Sequence, residues 1–267
     1  ANTRAKASLV WYHLYSKSKG AVIMTKKNKK HIVIATTIII LFVALLIYRY
    51  YIPDMKPKKQ FTPAAVEYTY DDSVTSSQLA EYNARQDWQL TLVNNDTPIC
   101  ENCSVILTAL DNGQAVDCRI YPQLQKMFDD ARSQGIYPTI TSSFRTAEDQ
   151  QDILESKYEH YQKIGYSDKK AKAYAEEWVA MPGTSEHELG LCVDIASGDS
   201  RVTNQEVWDW LAKNSYKYGF IERYTAEKQD ITGIIPEEWH YRYVGEKAAK
   251  EMYENNLCLE EYLQNVS

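Results

Sequence analysis

The 267-residue chain has five histidines, and two of them sit where a metal could be held. His187 lies in PGTSEHELGLCVDI, with Asp194 further along and Gly190 between them. A sharp bend at Gly190 could return the Asp194 carboxylate to the side of the imidazole. His240 lies in PEEWHYRYVG, directly after Glu237, Glu238 and Trp239. Two imidazoles and one carboxylate make a three-ligand set for zinc that leaves a fourth position for water. A carboxylate near that water can serve as general base. The same residues admit a plainer use, with His187 at a loop tip, Asp194 in a turn and His240 stacked in a core. Spacing alone leaves both uses open. His13 and His31 precede an apolar N-terminal run, and His160 sits among Lys157, Glu159 and Lys163 as a solvent-facing helix residue.

Taken together the motifs are more specific. Ser185, His187, Gly190 and Asp194 form S-x-H-x-x-G-x-x-x-D, and Glu237, Trp239 and His240 form E-x-W-H. Ser142, Arg145 and Gln150 form S-x-x-R-x-x-x-x-Q. In this order they resemble the zinc D,D-carboxypeptidase family, which includes enzymes of the vancomycin-resistance type and related L,D-carboxypeptidases. The resemblance spans roughly residues 88–264. It implies one zinc ion per chain, bound by His187, Asp194 and His240, with Glu237 as general base. Arg145 is then expected to meet the substrate carbonyl and stabilise the developing oxyanion. Gln150 and Ser185 are expected to hydrogen-bond the peptide, and Trp239 to wall the pocket. The implied activity is removal of the terminal D-alanine from peptidoglycan stem peptides. L,D-carboxypeptidase and endopeptidase action are its variants, and a non-catalytic wall-binding domain is the reading from another class.

Two positions pull in different directions. In a straight strand Glu238 shares a face with His240, which favours Glu238 as the base. The family pattern places the base three residues before the second histidine, and on that ground Glu237 is chosen. Cys192 has the strand parity of Asp194 and is a competing ligand.

The elements that must position these groups can be sketched. WQLTLVNN (88–95) reads as a strand. VILTALDNGQAVD reads as a hairpin turning at Asn112-Gly113. Pro122–Arg132 has helical apolar spacing, and IYPTITSSF is rich in β-branched residues. Thr146 should cap a helix running to about Lys163, and Ser167 a second one ending before Pro182. GLCVDIAS is a buried strand, Asn204–Tyr218 a helix, Trp239–Val244 a strand and Glu246–Asn255 a helix. The order lacks βαβ alternation, so the expected class is α+β, a single catalytic domain with a central antiparallel sheet flanked by helices.

Composition excludes some partners. The net charge of −6 gives no basic face for phosphates, so nucleic acid is not expected. Ile32–Tyr48 carries no charge and follows Lys26, Lys27, Lys29 and Lys30, which reads as a membrane anchor with the following chain outside the cell membrane. A cleaved signal peptide is the competing reading. The expected layout is a cytoplasmic segment (1–31), an anchor (32–52), a polar linker (53–87) and the catalytic domain (88–267). Residue 1 is Ala, and Met24 is the expected translation start. The five cysteines suggest one disulfide among Cys100, Cys103 and Cys118, with Cys192 and Cys258 as thiols.

Overall fold

The computed structural model describes residues 66–266. In chain order they form β1 (Glu67–Tyr70), α1 (Ser76–Ala84), β2 (Ser104–Ala109), β3 (Ala115–Asp117), α2 (Tyr121–Ser133) and β4 (Pro138–Ser142). Then follow α3 (Ala147–Lys163), α4 (Asp168–Trp178), β5 (Cys192–Ser197), α5 (Asn204–Asn214) and β6 (Phe220–Tyr224). Last come β7 (Glu237–Tyr243), α6 (Glu246–Asn255) and α7 (Leu259–Val266).

Two sheets organise these elements. One has four antiparallel strands in the order β4-β5-β7-β6. The other has three, with β1 parallel and β3 antiparallel to β2. The central antiparallel sheet was expected and the second sheet was not. The Asn112-Gly113 turn does join β2 to β3, with Gly113 at φ +79°, a conformation that glycine adopts without a Cβ penalty. Thr146 caps α3 in a reciprocal pair with Asp149, and Thr203 caps α5 with Glu206.

The core lies between the four-stranded sheet and helices α2 and α5. Val193 and Ile195 of β5, Leu124 and Met127 of α2, and Val207 and Leu211 of α5 are all buried there. Each such side chain contributes about 1.5–3 kcal/mol by leaving water. β5 is buried along Cys192–Ile195, which makes it the rigid centre on which the site is built.

Several expectations are corrected. Residues 88–95 form no strand but a single 3-10 turn, Trp88–Leu90. The carbonyls of Gln89 and Thr91 instead accept hydrogen bonds from Arg242 (3.0 and 2.8 Å), so a buried guanidinium replaces a ladder. The part of the expected linker that is described, 66–87, is folded: β1 pairs with β2, and α1 docks through Tyr82. The Tyr82 hydroxyl donates to Asp117 (2.6 Å), while the Arg119 guanidinium stacks 3.8 Å from the Tyr82 ring centroid and 3.9 Å from that of Trp88. β6 and α7 were not anticipated. α4 ends at Trp178, before the expected limit near Met181.

Cys100 and Cys103 are bonded to each other, and Cys118, Cys192 and Cys258 are free. The expected anchor (32–52) lies outside the described residues. Among the described residues no helix is long and apolar enough to cross a membrane.

Candidate active site

Asp194 and His240 are direct partners across the β5–β7 ladder. Facing side chains in such a pair lie close enough to share one ligand. His187 comes from a short 3-10 turn, Glu186–Leu189, which ends at Gly190 with φ +65°. A Cβ on Gly190 would stand 2.8 Å from the Asp117 amide nitrogen, so both the backbone conformation and the close approach require glycine. That turn folds the chain back from His187 into β5, as the sequence suggested.

The three side chains converge. His187 Nε2 lies 3.4 Å and His240 Nδ1 3.1 Å from Asp194 Oδ1. A tetrahedral ion with ligand bonds of about 2.0–2.1 Å spaces its ligands about 3.3 Å apart. Asp194 Oδ1 is buried without a hydrogen-bond partner, an arrangement that is costly unless a cation completes it. His187 Nδ1 faces the Ser143 carbonyl at 2.6 Å, which directs the Nε2 lone pair toward Asp194. Burial works against charge on Asp194, but His187 and His240 hold its carboxyl well below the usual range. Burial likewise opposes charge on His187, yet Cys192 and Asp194 lift it to about 9. The pocket is therefore built to attract positive charge, and its donor set fits zinc.

The Cys192 thiol also lies within 4.8 Å of ligand atoms of both histidines. Two facts favour Asp194 as the third ligand. The cleft over the site is lined by His187, Asp194 and His240 but not by Cys192, and Cys192 is fully buried beneath them. An ion that must meet substrate belongs on the cleft side.

A bulge favours Glu237 over Glu238 as the base. Glu222 faces Tyr241 and Tyr224 faces Glu237, so the β6–β7 register shifts and β7 carries extra residues there. Simple alternation fails across that bulge. Glu237 is buried, with Oε2 3.6 Å from His240 Nδ1, whereas Glu238 is exposed. Burial lifts Glu237 to about 7, ahead of the opposing pull of His240. A carboxyl poised there can both accept and return a proton near neutrality.

Arg145 follows β4, and its backbone N–H donates to the His187 carbonyl (3.3 Å). Its side chain donates to Ser142 Oγ (2.9 Å), Gln150 Oε1 (3.1 Å) and Asp194 Oδ2 (3.0 Å). Gln150 spends its amide on the Ala180 carbonyl (2.8 Å). Gln150, expected to touch the peptide, lines the cleft and also braces Arg145. Ser185 Oγ accepts from the His187 N–H (3.3 Å), and its hydroxyl proton remains available at the cleft. Trp239 lines the cleft and leans on Trp208, with ring centroids 6.1 Å apart. The cleft measures about 250 Å³.

Sequence reading missed the ions beneath the site. Glu186 Oε2 lies 3.5 Å from His240 Nε2, and neither atom has a nearer hydrogen-bond partner. Glu186 Oε1 accepts from Arg223 (2.9 Å) and Arg242 (2.8 Å), and Arg223 also donates to Glu260 of α7 (2.7 and 2.8 Å). The two arginines hold Glu186 well below the carboxylate range despite its burial. A carboxylate on the far ring nitrogen fixes the orientation of a ligating imidazole. The available signal was the parity of Arg242 with His240 in β7, but the partner residues are distant in sequence.

A family model described as D-alanyl-D-alanine carboxypeptidase (VanY) matches residues 113–246. A D-alanyl-D-alanine carboxypeptidase of Enterococcus faecalis is 51% identical over 183 residues, covering 68% of each chain. A vancomycin-resistance D,D-pentapeptidase VanY mutant from a VanB-type cassette, solved in complex with Zn(II), is 52% identical with a TM-score of 0.65. The match covers 66% of this chain and 99% of that one. VanYB in complex with D-alanine-D-alanine is 51% identical, also with a TM-score of 0.65, over 66% of this chain and 98% of that one.

Proposed function

This chain belongs to the VanY family of D-alanyl-D-alanine carboxypeptidases, and we propose that it removes the terminal D-alanine from peptidoglycan stem peptides. The observation that carries this reading is one cleft lined by His187, Asp194 and His240 together with Glu237 and Arg145. His187, Asp194 and His240 would hold zinc. When bound, zinc supplies Lewis acidity and lowers the pKa of a water it holds.

The protein side chains do the rest. Glu237, buried beside His240, accepts a proton from the attacking water and returns it to the leaving amine. Arg145 is braced by Ser142 and Gln150, so its guanidinium meets the developing oxyanion without first having to be ordered. Ser185 can donate to the peptide backbone. Trp239 walls the pocket and helps exclude water.

The lysines before the uncharged run 32–48 support an anchor that leaves this domain outside the cell membrane, where its substrate lies.

The test is direct. Zinc-loaded protein is offered a stem pentapeptide and the corresponding tetrapeptide, and products are read by mass spectrometry. Loss of one alanine from the pentapeptide alone is expected. Loss only from the tetrapeptide would move the activity to the L,D class, and no release from either would overturn the reading.

A further inference from the structure

The two oxygens of Glu186 are loaded unequally. Oε1 accepts from both buried arginines, from Arg223 Nε (2.9 Å) and from Arg242 Nη1 (2.8 Å). Oε2 accepts from neither. It lies 3.5 Å from His240 Nε2, and neither of these two buried atoms has another hydrogen-bond partner. Each arginine gives Glu186 a single N–H because its other nitrogens are engaged elsewhere. Arg242 gives Nε to the Tyr243 carbonyl (2.9 Å) and Nη2 to the carbonyls of Gln89 and Thr91 (3.0 and 2.8 Å). Arg223 gives Nη1 and Nη2 to the two oxygens of Glu260 (2.8 and 2.7 Å), an acid near the start of α7. Asn94 also donates to Glu260 Oε1 (3.1 Å).

We propose that Glu260 is a positioning residue for the metal site: by occupying the end of the Arg223 guanidinium, it reserves Glu186 Oε2 for the His240 ring. This rests on the zinc reading of His187, Asp194 and His240. An arginine facing one carboxylate pairs with it through two parallel N–H groups, one on each oxygen. Without the Glu260 charge, Arg223 would grip Glu186 in that way and claim Oε2. The His240 ring would then lose its acceptor. With Oε2 held open, His240 Nε2 carries the ring proton and donates it there. That leaves the Nδ1 lone pair, 3.1 Å from Asp194 Oδ1, for the metal. Glu260 does not line the cleft, so it acts only through Arg223 and Glu186.

The test reads metal binding and ring protonation, neither of which depends on turnover. Zinc affinity is measured by competition against a chromogenic chelator, and ligand geometry by the visible absorption of the cobalt-loaded chain. Glu260→Gln keeps the shape and one acceptor oxygen. It should bind zinc about ten-fold more weakly and shift the cobalt bands. The double variant Arg223→Met with Glu260→Leu also removes the competing guanidinium and replaces a buried ion pair by apolar side chains. Its affinity and bands should return to within about two-fold of wild type. Wild-type affinity in Glu260→Gln, or a double variant as weak as the single one, would overturn the proposal. Nuclear magnetic resonance of the zinc-loaded wild-type chain with isotope-labelled histidine gives a check that needs no variant. His240 should show a proton on Nε2 that exchanges slowly with water, and its absence would overturn the proposal even if Glu260→Gln failed to fold. A wild-type chain that binds zinc but releases no D-alanine would count against the carboxypeptidase reading alone, and the affinity series would still decide the role of Glu260.

Discussion

Asp194 and His240 face each other across the β5–β7 ladder, with Oδ1 and Nδ1 3.1 Å apart. Two of the proposed ligands are therefore set by strand register, one on β5 and one on β7. A slip of one residue would turn one of them to the opposite face. Only His187 is placed by a loop, and that loop is tied down by Gly190 and by the Ser143 carbonyl.

Replacing Glu237 by Gln is expected to lower kcat about a thousand-fold while leaving bound zinc stoichiometric, because it removes the proton acceptor and no ligand. Glu238→Gln should leave kcat within about two-fold, since that side chain points to solvent. Steady-state rates paired with metal analysis check both.

Asp194→Asn should weaken zinc binding and abolish turnover. Chelation of the wild-type protein should abolish turnover reversibly, with activity restored by added zinc. Competition against a chromogenic chelator reads the affinity. Retention of wild-type zinc affinity in Asp194→Asn, combined with its loss in Cys192→Ser, would reassign the third ligand to the thiol.

Glu186→Gln should act at a distance from substrate. It leaves Arg223 and Arg242 without their shared buried charge, which costs about 3–5 kcal/mol of stability. It also frees the His240 ring and should weaken zinc binding about 10–100-fold. Denaturant unfolding and zinc competition measure the two effects separately.

Burial raises Glu222 to about 7, and Glu238 adds to the shift. A carboxyl whose folded pKa exceeds its unfolded value favours the folded state when protonated. That stability is present below the unfolded value near 4.5 and is lost as pH rises through about 7. Allowing for its partial exposure to solvent, Glu222→Gln should gain about 1 kcal/mol at pH 8 and nothing at pH 4. Urea midpoints at the two pH values give the difference.

Arg145→Lys should lower kcat about a hundred-fold, because a single ammonium cannot hold Ser142, Gln150 and Asp194 in the planar fork seen here. An unchanged kcat with a raised KM would assign Arg145 to ground-state binding instead.

Residue types and their order along the chain, through the family they resemble, pointed to the chemistry of this protein. His187, Asp194 and His240 offer a metal three ligands, and Arg145 offers a fixed cation; these are properties of side chains and survive any folding. Local signals also determined the Asn112-Gly113 hairpin, the Thr146 cap and the glycine bend after His187, because each depends on a few neighbouring residues. The tertiary structure decided the rest. Strand alternation pointed to Glu238, and only the bulge opposite β6 turned Glu237 to the His240 side. Residues 88–95 read as a strand, but Arg242 takes two of their carbonyls. Residues 53–87 read as polar linker, yet β1 within them finds an edge on β2. The Glu186–Arg223–Glu260 ions come from three distant segments, and no sequence spacing encodes their meeting. Register, bulges and buried ion pairs are settled by contacts between residues far apart in the chain, so they exist only once the sheet has formed.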